Sequence, residues 1–286
     1  MATIDRHAAT LALAHALTAA ERGLPVIPLT RHKLPALPSP HRDEATPHCR
    51  GECGRYGHGV HDATCDPARV RALFAAAPWA TGYGIACGRP PHHLIGIDLD
   101  TKSGTDGNAA LRHVALEHLF TLPETVVVLT PSGGRHIWLT GPSDTVIPNS
   151  ASRLAPGIDV RGSGGYLVGP GSLTNRGVYR LAPGTAHLAP APCPRALLRL
   201  LVPPARPHHP AARPRHGQAL IDFVLAAHTG QRNTRLFWAA CRAYENGIGD
   251  TLAARLTAAA IRTGLTEREA RATIASAARL TATPSS

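Results

Sequence analysis

The stretch LIGIDLDTKSG, residues 94–104, is an apolar run that ends in two carboxylates, Asp98 and Asp100. Side chains alternate faces along a strand, so the two acids point the same way, with Cβ atoms about 7 Å apart. Carboxylates on one face can share divalent ions, and Mg²⁺ favours one or two of them together with substrate phosphates. A lone D-x-D is also an ordinary solvated strand end. Its meaning therefore depends on its neighbours.

Around this stretch, residues 82–182 consist of short apolar runs broken by glycine: GYGIACG, HLIGIDLD, TVVVLTPSGGRHIWL, GIDVRGSGGYLVGPGS and GVYRL. This reads as a β-rich block, interrupted by one helix at GNAALRHVALEHLF. The second long run turns at Pro131-Ser132-Gly133-Gly134. Gly-Gly is a hairpin signal, and a Gly-rich turn exposes N–H groups that can hold phosphate oxygens. His136 follows on the return strand and shares a face with Trp138. In the third run Asp159 and Arg161 share a face, and the glycines after them permit close backbone approach. Acids, a histidine, an arginine and Gly loops thus recur at strand ends in three separate segments.

Outside the block, residues 6–22 read as an amphipathic helix, LPVIPL as a strand and 66–78 as a helix with an Asp cap and Pro in its first turn. Residues 1–201 are expected to form one α+β domain. VPPARPHHPAARPRHG, residues 202–217, reads as a linker. Residues 218–286 carry four runs with helical spacing, a small all-α bundle with Leu236, Phe237 and Trp238 in its core.

The 286 residues carry a net charge of +11, which suits a polyanionic partner such as nucleic acid. The cations are nearly all arginine, with lysine only at 33 and 102. No apolar run approaches the ~20 residues a membrane helix needs. The N-terminus lacks the pattern of a signal peptide. A cytoplasmic protein is expected, its six cysteines thiols or metal ligands rather than disulfides.

The order D-x-D, then S-G-G-x-H, then G-x-D-x-R-G-x-G-G-Y resembles the bifunctional DNA primase/polymerase (Prim-Pol) family of the archaeo-eukaryotic primase superfamily. The resemblance covers residues 8–200. It implies template-directed nucleotidyl transfer on an RRM-like core whose sheet is flanked by helices, with Mg²⁺ or Mn²⁺, nucleoside triphosphates and a single-stranded DNA template. Asp98 and Asp100 match the family's metal-binding acids and Asp159 the third, expected to face them across the sheet. His136, with Ser132, Gly133 and Gly134, matches the group that holds the incoming triphosphate. Arg161 follows the third acid, where a phosphate contact is implied. Lys33, in RHKLPA, resembles a family Lys-x-Pro, and a plain surface lysine reads equally well. The tail from Gln231 to Leu280 looks like the small helical domain that follows primase-polymerase cores, with Arg232 and Arg235 as possible DNA contacts.

PHCRGECGRYGHGVHDATC, within an insertion at about 41–65, clusters Cys and His with almost no apolar content. Tetrahedral zinc wants four such ligands, and relatives of this family often carry a zinc-binding stem. Cys49, Cys53 and His58 are expected ligands, with His61, His48 or Cys65 as the fourth. Cys87, Cys193 and Cys241 read as buried thiols. No G-x-x-x-x-G-K-[ST] occurs, so the chain carries no P-loop helicase motif, and a separate helicase or replication initiator is an expected partner. A plasmid- or mobile-element role is implied by resemblance. Two other functions use the same residues: a metal-dependent nuclease or phosphodiesterase, which needs no triphosphate clamp, and a non-catalytic DNA-binding replication factor.

Overall fold

A computed structural model describes residues 2–42, 49–101, 104–202, 216–228 and 230–281. The chain divides into two compact units, Met1–Pro204 and Ala205–Ser286. The first unit mixes helices and mainly antiparallel sheets. In order it contains α1 (Ala2–Glu21), β1 (Val26–Leu29), a 3-10 turn (Gly59–Asp62), α2 (Pro67–Ala76), β2 (Gly82–Ala86), β3 (Leu94–Leu99) and α3 (Gly107–Glu117). There follow β4 (Val127–Leu129), β5 (Arg135–Thr140), β6 (Ile158–Arg161), β7 (Tyr166–Val168), β8 (Leu173–Thr174), β9 (Gly177–Val178), β10 (Arg180–Leu181), β11 (Ala191–Pro192) and α4 (Arg195–Leu201).

Local chemistry explains the helix starts. Asp66 and Asp106 cap α2 and α3, their carboxylates accepting from the free N–H groups of the first turn. The main sheet has strand order β10-β4-β5-β3-β6, with β11 pairing parallel to β5. Alternation gives β3 two different faces. Ile95, Ile97 and Leu99 join Leu139, Ile158, Val160 and residues of α3 and α4 in one core. The opposite face looks toward a second core built from α1, α2 and the small sheet β1-β2-β7, to which Trp138 and Leu167 belong. Gly96 makes that second layer possible. A Cβ there would meet Leu167 Cδ1 at 2.5 Å, so β7 seats on the sheet only because residue 96 has no side chain. Asp98, one pleat further along the same face, is therefore only partly covered.

The β4–β5 connection is a five-residue loop, 130–134, rather than a two-residue Gly-Gly hairpin. Thr130 N donates to Gly134 O at 3.0 Å and Gly133 N to Thr130 O at 3.1 Å. A Cβ on Gly134 would meet Leu99 O at 2.3 Å, so this glycine lets the loop lie against the end of β3.

The described part of the second unit holds α5 (His216–Leu225), α6 (Arg232–Glu245), α7 (Gly249–Arg262) and α8 (Glu267–Thr281). They share a core of Leu220, Val224, Leu236, Leu256 and Ile274 with many alanines between. Two readings change here. Most of the expected linker, residues 203–215, lies outside the described residues, and its last two positions belong to α5. Trp238, expected in the core with Leu236, is 45% exposed. Among the described residues no helix is long and apolar enough to cross a membrane.

Candidate active site and metal centre

Strand register brings the three segments of the sequence motif together. Asp98 on β3 pairs directly with His136 on β5 and, on its other side, with Asp159 on β6. Paired residues project to one face of a sheet, so the acid–imidazole–acid row follows from register alone. Asp159 is thus the direct neighbour of Asp98 on the adjacent strand, not a group facing it from across the sheet. His136 Nε2 lies 3.5 Å from Asp98 Oδ1. Arg161 Nη2 bridges the two acids, 3.1 Å from Asp159 Oδ2 and 3.6 Å from Asp98 Oδ2. Asp159 also accepts from Ser152 N at 3.1 Å.

The electrostatics follow from this crowding. His136 is 3% exposed, and burial, helped by the charges of Arg161 and Lys33, pushes its imidazole down to about 3. It is neutral at physiological pH. Burial raises the Asp159 carboxyl above its usual range; Asp98 and Asp100 push the same way, and Arg161 opposes them. Asp100 stands one residue past β3, its N–H donating to Gly157 O at 2.9 Å and its carbonyl accepting from Gly107 N at 2.8 Å. It does not line the cleft, yet its charge acts on His136, Asp159 and Tyr179.

Asp98 and His136 open into a cleft of about 440 Å³ whose walls also include Lys33, Asn149, Arg161 and Tyr179, whereas Asp159, like Asp100, does not line it. Lys33 is exposed at the rim of this cleft, with its backbone held left-handed at φ 67° and its carbonyl accepting from Tyr166 Oη at 2.9 Å. A second depression, about 280 Å³, shares His32, Lys33 and Tyr179 with the cleft. Arg31, Ser132, Asn175 and Arg176 line it. Ser132 therefore belongs to this cationic annexe, while Gly133 and Gly134 line neither space. Tyr179, whose ring centroid is 5.4 Å from that of His136, and the cations Arg31 and Arg176 escape a sequence reading. Arg31 lies in RHKLPA beside Lys33, and Tyr179 in GVYRL, but no spacing in either stretch, nor around Arg176, points to the site.

The acid row suits a hard divalent cation in donor chemistry, since carboxylate oxygens favour Mg²⁺ and Mn²⁺. A positive charge already spans Asp98 and Asp159 in the form of Arg161, which marks where a cation is stabilised. The acids themselves are not gathered as tightly as a second group. Among the described residues, His41, Cys49, Cys53 and His58 place one ligand atom each within 4.8 Å of one another. This His₂Cys₂ set can hold a metal such as zinc. Cys53 Sγ lies 3.5 Å from His58 Nε2, and Cys53 N donates to Cys49 Sγ at 3.4 Å. The backbone N–H of Arg55, ahead of side-chain hydrogen bonds from His41 and Cys49, brings the Cys53 thiol down to about 6 against desolvation. A thiolate is the form that ligates. His58 Nδ1 sits 3.4 Å from Asp62 Oδ1, and that carboxylate accepts from Gly57 N and His58 N at 2.7 and 2.8 Å. That carboxylate stands close to the ring, although His58 Nδ1 makes no hydrogen bond to it.

Among the described residues the fourth member of the group is His41, which the spacing did not offer. His61 and Cys65 lie outside the group and His48 outside the described residues. His41 completes it because the segment before it folds back over the loop. A Cβ on Gly57 would meet Pro38 O at 2.0 Å. Of the remaining cysteines Cys87 is buried as expected, whereas Cys193 and Cys241 are only partly so.

Carboxylates, a buried neutral imidazole and converging cations form an arrangement whose chemistry can accommodate a phosphate-bearing molecule. The family model for the bifunctional DNA primase/polymerase N-terminal domain matches residues 16–196, and the chain belongs to this Prim-Pol family. Membership carries a primase/polymerase-type function, DNA and nucleotide substrates and the use of divalent metals. A search of curated proteins returned no match.

Proposed function

We propose that the chain is a DNA primase/polymerase that extends a primer on a single-stranded DNA template from nucleoside triphosphates. The observation that supports this most directly is the Asp98 row, flanked in register by His136 and Asp159 beneath a cationic cleft. In this reading the main sheet with α3 and α4 is the RRM-like core. Asp98, Asp100 and Asp159 hold two Mg²⁺ or Mn²⁺ ions, and Arg161 moves off the acids to the triphosphate when these bind. The chemistry such ions supply is activation of the primer 3′-hydroxyl and neutralisation of phosphate charge. Neutral His136 donates a ring N–H to a phosphate oxygen as charge develops there. Lys33, Arg161 and Ser132 neutralise or bind the remaining phosphate oxygens. Gly133 and Gly134 serve by shaping the loop that presents Ser132. His41, Cys49, Cys53 and His58 bind structural zinc.

The setting we infer is replication initiation of a plasmid or mobile element, with unwinding supplied by a separate helicase. The test is direct. Protein is incubated with single-stranded DNA, labelled ribo- or deoxyribonucleotides and Mg²⁺ or Mn²⁺. New oligomers support the proposal. Degradation of the template points to a nuclease, and binding without either product to a non-catalytic replication factor.

A further inference from the structure

The second unit carries eleven arginines against five acids in 82 residues, a higher positive charge per residue than the first unit. Arg232 and Arg235, the expected DNA contacts, are built into the fold. Arg235 Nη1 donates to Phe223 O at 3.2 Å and Ala226 O at 3.0 Å, satisfying carbonyls at the end of α5. Arg232 packs over Gly264 at the end of α7, where an added Cβ would meet its Nη1 at 2.9 Å.

What is left at the surface is a stack. The Arg235 guanidinium lies 4.8 Å from the centroid of Phe223. The Phe223 ring lies 4.9 Å from that of Trp238, tilted by 49°. Arg242 lies 5.1 Å from the Trp238 centroid and 3.4 Å from Glu245 Oε2. Trp238 is 45% exposed and the Arg242 side chain 46%. Trp238 leaves nearly half of its surface in water beside a core of alanine, leucine, isoleucine and valine, and a ligand stacked on the ring would recover that burial. The inner half of the stack, Arg235 on Phe223, is locked by backbone hydrogen bonds. The outer half, Trp238 under Arg242, is open.

We infer that Phe223, Trp238 and Arg242, all on the second unit, form a stacking platform for single-stranded nucleic acid. Every base offers a π-face, and aromatic side chains interleaved with arginine recognise unpaired bases without sequence preference. A base stacks on Trp238, and Arg242 turns from the ring to the adjacent phosphate. A protein partner would favour an apolar rim around the tryptophan. Here an arginine lies over each ring, one of them paired with Glu245, and the unit as a whole carries the positive charge that attracts a polyanion.

Fluorescence anisotropy of the full chain with labelled oligo(dT) tests this. Trp238→Ala is expected to weaken binding about tenfold, and Trp238→Phe to retain most of it. Arg242→Ala should lower the slope of log affinity against log salt by about 0.7, one phosphate contact to a single strand. A second readout survives misfolding of the alanine variant. With Trp79 replaced by Phe, oligo(dT) should quench tryptophan emission through Trp238, because Trp138 is buried. The quench should vanish on adding Trp238→Phe. Unchanged affinity in a folded Trp238→Ala protein, or a quench that persists without Trp238, overturns the inference. So does loss of self-association in place of DNA affinity. Asp98→Asn should abolish synthesis and leave oligo(dT) binding intact, so failure of the catalytic proposal and failure of this one are distinguishable.

Discussion

The acid row and the His₂Cys₂ cluster gather polar ligands within one unit, by opposite means. Asp98, His136 and Asp159 sit on three adjacent strands, and ladder hydrogen bonds and two apolar cores hold them in register whatever is bound. The cluster spans residues 41–58, whose described residues include no helix or strand, and a 3-10 turn, Gly59–Asp62, follows directly. There the apolar contribution to order is small, so a metal bound by this set would supply what a core does elsewhere. A site on a sheet can lose a ligand and keep its shape. A site on such a loop should lose both together.

The largest test of this contrast is Asp98→Asn. Primer extension should fall by at least about 10²–10³, the scale of removing one key electrostatic group. The melting temperature should barely change, since Asp98 contributes to no core. A melt that collapses alongside activity would mean the row is not preformed.

Next comes metal removal. Chelation, or His41→Ala, should strip zinc measured by elemental analysis. The melting temperature should drop by roughly 10 °C, taking a loss of about 3 kcal/mol and ~3 °C per kcal/mol for a unit this size. If His41→Ala keeps its zinc, His41 is not the fourth ligand.

Gly96→Ala probes the scaffold between them. The new methyl meets Leu167, and overpacking of this kind costs about 1–3 kcal/mol. Denaturant unfolding should show that loss, and Leu167→Ala in the same chain should relieve part of it. Strict additivity of the two changes would mean that β7 does not seat on residue 96. Smallest of all is His61→Ala, for which zinc content should match the parent protein and stability should stay within about 0.5 kcal/mol.

Periodicity and motif order made much of the first site legible. Alternation put Asp98 with Asp100 and Asp159 with Arg161, each pair on one face of its own strand, and the D-x-D, S-G-G-x-H and G-x-D-x-R order pointed to the family. Zinc-type spacing found three of the four clustered ligands, but His41 is eight residues from Cys49 and lies beyond any local pattern. Trp238 misled for a related reason. Helical spacing marks which residues share a face, and only the packing of α5 beside α6 decides where that face ends.

The amino-acid sequence by itself determined the strands, the helices and the residue types that carry the chemistry, because these depend on neighbours a few positions away. Only the tertiary structure decided that Asp98 stands between His136 and Asp159, that Arg161 bridges the acids, that Lys33, Arg176 and Tyr179 line one contiguous surface, and that His41 closes the Cys/His cluster. Those arrangements depend on strand order and chain reversal, which bring together groups tens of residues apart and leave no local period to read.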